Sequence, residues 1–158
     1  MKRVDHPLFT IGYERGGQVQ IIGALKRAGV DIVLDVRELP NSRRAGFSKR
    51  GLAAALAEAG IDYRHLKALG TPKAGREANK ARRWLQFWDI VDGALARPEA
   101  LLALEEAAEI ARAQRACLLC LEHDWRTCHR ARLAEKLAAR GFMVRHLEPD
   151  APGAAVAR

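Results

Sequence analysis

The sequence contains no uncharged apolar run approaching the roughly 18 residues that a membrane span requires, which excludes a membrane-inserted reading. Cysteine is scarce, with three in 158 residues, at positions 117, 120 and 128. That is too few for a disulfide framework, so these are read as reduced thiols whose chemistry is local. The opening MKRVDHPLFTIGY starts basic but meets Asp5 before any long apolar stretch, so it does not read as a secretory signal, and the protein is expected in the cytoplasm. The glycine-bearing turn at residues 12–17 matches neither the dinucleotide fingerprint nor the triphosphate-binding loop. What remains, with 49% hydrophobic and 29% charged residues, is ordinary globular usage in a chain of one-domain length.

Positive charge is plentiful and unevenly placed. The chain carries 27 Lys and Arg against 19 Asp and Glu, a net +8. The segment from Arg37 to Arg83 holds twelve basic and four acidic residues and so contains the whole excess. A field that lopsided attracts anions, and a phosphorylated small molecule, a nucleotide or nucleic acid are its natural partners. Solvated arginine-rich helix faces would give the same composition. Nothing in the sequence specifies a protein partner.

Three segments share one pattern: IIGALKRAG before VDIVLDV, LAAALAEAG before IDYRHL, and RLAEKLAARG before FMVRHL. Each is an alanine- and leucine-rich amphipathic helix, then a stop glycine (Gly29, Gly60, Gly141), then a short strand. LFTIGY and ACLLCLE add two further strands, and residues 76–113 read as helix interrupted at Pro98. Trp84, Phe87 and Trp88 fall on one side of that stretch and read as core. Strands separated by helices imply a single three-layer α/β domain over residues 1–148, with a mostly parallel five-stranded sheet and helices on both faces. Residues 149–158 lack periodicity and are expected to form a flexible tail.

In such sheets ligands bind beyond the carboxyl ends of the strands. After the first strand come Gly12 and Tyr13, in a turn that could cradle an oxyanion at a helix start. After the second come Asp35 and Arg37, then Ser42 and Arg43 in an arginine-rich loop; Arg37 and Arg43 are candidate anion clamps, although Asp35 and Arg37 can equally be satisfying neighbouring polar groups. The fourth strand leads into the densest cluster: Cys120 and Glu122 on one face, Cys117 on the other, then Cys128, His129 and Arg130. With Thr127 read as helix cap, Cys128 lies in a first helical turn among basic neighbours, where the dipole favours a thiolate. Cys128 or Cys120 is then the candidate nucleophile or redox thiol, Glu122 and His129 acid or base, and Arg130 a further clamp. The eight-residue separation of Cys120 and Cys128 fits no familiar zinc spacing, so neither metal nor cofactor is assigned.

Residues 10–14 (Thr-Ile-Gly-Tyr-Glu), Asp35-Val36-Arg37, Pro40 with Ser42, Arg43 and Phe47, His65 to Gly70, and Cys120-x-Glu122 followed by Cys128-His129-Arg130 together resemble the family catalogued as domain of unknown function 488. The resemblance runs from Phe9 to Leu147 and implies a compact cytosolic α/β domain without an established activity. Two enzyme likenesses compete. Cys120-x5-Arg126 resembles the phosphatase signature, and Leu34 to Glu38 resembles the DVRE strand of rhodanese-type sulfurtransferases, but the glycine-bearing loop of both is missing. The expectation is an anion-binding domain, with a cysteine-dependent enzyme as the alternative.

Overall fold

The computed structural model describes residues 4–151. Five strands, β1 (Leu8–Gly12), β2 (Ile32–Asp35), β3 (Asp62–His65), β4 (Ala116–Cys120) and β5 (Val144–His146), pair in the order β3-β2-β4-β1-β5. Every pairing is parallel. Strands β1, β2 and β4 are buried at every residue, as expected of parallel strands covered on both faces. The helices are α1 (Gln18–Arg27), α2 (Lys49–Glu58), α3 (Lys73–Lys80), α4 (Trp84–Leu95), α5 (Pro98–Ala113) and α6 (Arg130–Ala138).

Side-chain alternation along the strands divides the core in two. Ile11, Val33, Cys117 and Leu119 face α1 and α2 through Ile21, Leu25, Leu52 and Leu56. Leu34, Leu118 and Cys120 face the other layer, where Phe87, Leu104 and Leu133 come from α4, α5 and α6. This is the expected three-layer α/β domain. The stop glycines do what their positions imply: Gly29, Gly60 and Gly141 have φ of 70°, 76° and 95°, a left-handed region that side chains resist.

The helical stretch before β4 departs from expectation. It begins at Lys73 and breaks twice, giving three helices rather than two. Pro98 opens α5 as expected. The additional break falls at residues 81–83, where Arg82 turns left-handed at φ 56°. Neither glycine nor proline marks that turn. Phe87 is buried and Trp88 packs at the core edge, whereas Trp84 is 38% exposed. Of the expected tail, residues 152–158 lie outside the described residues. Just before them, Asp150 accepts from Arg27 Nε (3.0 Å) and its N–H donates to the Gln20 carbonyl (3.0 Å). Among the described residues no helix is long and apolar enough to cross a membrane.

The register decides where chemistry collects. Gly12 lies opposite Cys120 and Asp35 opposite Leu119, so the carboxyl ends of β1, β2 and β4 finish at one rim.

Candidate functional site

A cavity of about 220 Å³ opens over that rim. Five of the residues singled out from the sequence line it: Tyr13, Arg37, Cys120, Glu122 and His129. Cys128, Arg130, Asp35 and Gly12 stand behind its wall, all buried. Ser42 and Arg43 do not reach it. Ser42 instead accepts from the Arg44 N–H (3.1 Å) and donates its own N–H to Ser48 Oγ (3.1 Å), and Arg43 is exposed. Thr71 and Arg76, not singled out beforehand, do line the cavity. Arg76 Nη1 donates to Glu38 Oε1 (2.8 Å) and to the Thr71 carbonyl (2.7 Å). Their approach is a matter of how α3 packs, which leaves no local signal.

Cys120 ends β4, and the chain then folds back through a 3₁₀ turn, Trp125–Thr127. Asp124 caps the turn by accepting from the Arg126 N–H (3.0 Å), and Thr127 Oγ1 donates to the Asp124 carbonyl (3.0 Å). Thr127 therefore serves the turn before it rather than capping the helix after it. The helix starts later than expected, at Arg130, and Cys128 precedes it in extended conformation. From there Cys128 Sγ lies 2.8 Å from Cys120 Sγ and 3.5 Å from His129 Nδ1, and accepts from the Arg130 N–H at 3.5 Å. His129 Nε2 lies 2.8 Å from the Val36 carbonyl. A carbonyl only accepts, so Nε2 carries a proton and Nδ1 is the atom turned to the sulfur.

Arg130 is 1% exposed. Its Nη1 donates to Thr10 Oγ1 (3.0 Å), its Nη2 donates to the Glu122 and, at 3.5 Å, His123 carbonyls, and its Nε has no hydrogen-bond partner among the described residues. Among the described residues it forms no ion pair with a carboxylate. A buried guanidinium stays charged and needs an anion nearby. The sulfurs meet that need. Burial alone would raise the Cys128 thiol, but the S–H donated by Cys120, the His129 charge and Arg130 outweigh it and hold Cys128 well below the usual thiol range. Burial and its donated hydrogen bond push Cys120 well above that range. Burial, then the Cys128 charge, raises Glu122 to about 7. Burial would lower His129, yet Cys128 and Glu122 raise it on balance. Cys117, on the far face, is pushed well up by burial.

Arg37 is already engaged at all three of its side-chain nitrogens. Its Nε and Nη2 donate to Asp35 Oδ1 (2.8 Å) and Oδ2 (2.7 Å), and its Nη1 donates to Tyr13 Oη (3.0 Å) and the Phe47 carbonyl (2.7 Å). Tyr13 stacks on Phe47 with ring centroids 4.3 Å apart. Gly12 supplies space: a Cβ there would collide with the Glu122 carbonyl and with Arg130 Nη2.

Residues 18–137 match the family described as Domain of unknown function DUF488. The chain belongs to that family. No curated protein and no solved structure matches it. The matched span holds Asp35, Arg37 and the whole segment from Cys120 to Arg130, while β1 and β5 lie outside it, so it is shorter than the resemblance from Phe9 to Leu147 implied. Within this DUF488 domain the side chains brought together are a close dithiol, an imidazole, a carboxyl group and a guanidinium balanced by sulfur rather than by a carboxylate. The ligand atoms of Cys120, Cys128 and His129 lie within 4.8 Å of one another.

Proposed function

We propose that this DUF488 domain is a two-thiol enzyme that reduces a small disulfide admitted to the cavity. The observation that carries the reading is the 2.8 Å approach of Cys120 Sγ to Cys128 Sγ, with Cys120 on the cavity wall and Cys128 directly behind it. Cys120, buried but bordering the cavity, makes first contact and Cys128 resolves the product. Cys120 passes its proton to Cys128 and attacks one substrate sulfur; the substrate S–S bond breaks and the departing thiolate takes a proton from Glu122. Cys128 returns its proton to Glu122 and attacks Cys120 Sγ, forming the Cys120–Cys128 disulfide and releasing the second thiol, which is protonated by solvent. Two electrons pass from the dithiol to the substrate disulfide, and an external thiol reductant, attacking the Cys120–Cys128 disulfide in the reverse exchange, supplies two electrons to restore the dithiol.

A phosphorylated ligand or nucleic acid draws support from the charge composition alone. The cavity arginines, Arg37 and Arg76, already engage Asp35 and Glu38.

Mass spectrometry of the reduced chain mixed with cystine or oxidised glutathione tests the proposal. Wild type should emerge as the intramolecular disulfide, Cys128→Ser should accumulate a mixed disulfide on Cys120, and Cys120→Ser should do neither. Adducts confined to Cys117, or none in Cys128→Ser, would refute it.

A further inference from the structure

We infer that the reduced pair Cys120 and Cys128, together with His129, is a binding site for one thiophilic d10 cation, zinc(II) or copper(I). The inference uses the same thiols as the exchange reading but needs only that both be reduced. Two sulfurs and an imidazole nitrogen form a donor set that favours these ions over calcium, magnesium or manganese.

The surroundings of His129 argue for a ligand role. A metal-binding histidine usually donates its second ring N–H to a carboxylate or backbone carbonyl, which fixes its tautomer and orientation. Here Nε2–H donates to the Val36 carbonyl, and Val36 is itself tied to β4 through its N–H and the Leu119 carbonyl (3.1 Å). The remaining nitrogen, Nδ1, is directed at Cys128 Sγ.

Access is one-sided. Cys128 is sealed in the core, whereas Cys120 and His129 also face the cavity, with Glu122 on the same wall. With these three protein ligands the fourth position faces the cavity, on the wall that Glu122 lines. Zinc(II) would draw its fourth donor from Glu122; copper(I) needs no carboxylate. Zn–S bonds of about 2.3 Å require the sulfurs to part by about 1 Å from their present spacing. The separation in sequence, which argued against a metal, loses its force because the 3₁₀ turn at Trp125–Thr127 returns the chain to the end of β4.

The test uses the full chain, reduced and without oxygen, titrated with cobalt(II) as a coloured substitute for zinc(II), and with zinc(II) and copper(I) in competition with chromophoric chelators. One equivalent should bind, with a thiolate-to-cobalt charge-transfer band in the near ultraviolet. Cys128→Ser and His129→Gln should weaken binding at least about a hundredfold, and Cys117→Ser should leave it unchanged. Glu122→Gln should weaken zinc(II) while sparing copper(I). Should the Cys128 variant fail to fold, diamide-oxidised wild type replaces it and must lose the ion. Absent stoichiometric binding, or binding undiminished in Cys128→Ser or in the oxidised chain, overturns the site. A mixed disulfide trapped on Cys120 without ion affinity would sink this inference and leave the exchange reading standing; the reverse pattern would do the opposite.

Discussion

Arg37 and Arg130 are both buried under the same rim, and they are held in contrasting ways. Arg37 has Asp35 in a two-pronged ion pair, with a phenol and a carbonyl occupying its other nitrogen. Arg130 has hydroxyl and carbonyl oxygens, a bare Nε, and sulfur where a carboxylate would be expected. The first arrangement is self-contained and closes the end of β2. The second is complete only with a negative sulfur beside it, which ties the position of a cation to the state of a thiol.

The largest effect should come from breaking the self-contained pair. Asp35→Asn or Arg37→Met, each leaving one buried charge unmatched, should lower stability by about 3–5 kcal/mol in urea unfolding. The double variant should lose less than the two singles combined; plain additivity would mean that the pair is not the unit holding this end of the sheet. Arg130→Met should cost about 1–3 kcal/mol, because Cys128 can recover a proton once the guanidinium is gone, and only the hydrogen bonds are lost. The same variant should slow alkylation of Cys120 at pH 7. A stability loss as large as that at Arg37, with unchanged thiol labelling, would erase the distinction between the two arginines.

A smaller effect belongs to His146, which burial, and then Arg130, push down to about 4. Arg130 donates to Thr10 Oγ1, whose own proton is then free for His146 Nδ1 at 2.6 Å. The unfolded chain takes up this proton near the ordinary histidine value of about 6.5, and the folded one resists until about 4. Stability from this group is therefore present above pH 6.5 and lost as pH falls to 4, by about 1 kcal/mol after allowing for the ring's partial exposure. The difference between wild type and His146→Gln across that range, by urea unfolding, isolates it.

Much of the fold was written in local chemistry. Three helix-glycine-strand repeats are enough to order the strands as parallel, because a left-handed stop followed by β-branched residues leaves few other paths. The break at Arg82 had no such marker and depends on how α3 and α4 pack. The site was legible in its residue types but less so in its connections. Alternation along β4 correctly placed Cys117 and Cys120 on opposite faces, whereas the meeting of Cys120 with Cys128 depends on a capped turn between them. Electrostatics alone pointed to Cys128 as the favoured thiolate; what sequence did not display is that both sulfurs are buried and that Cys120 is the one bordering the cavity. Arg37 was open to two readings, an anion clamp or a partner of neighbouring polar groups, because sequence displays a charge without displaying the Asp35, Tyr13 and Phe47 groups that engage it in the fold.

Trp125, midway along the arc between the two cysteines, stacks on His146 with ring centroids 3.9 Å apart. His146 belongs to β5, a three-residue strand that among the described residues lies at the sheet edge and pairs only with β1. The thiol arc is thus clasped to the least anchored strand of the sheet by a pair of flat rings. Local opening of that edge releases the clasp, so the fraying of one short strand and the loosening of the dithiol become a single event in the breathing of the native state.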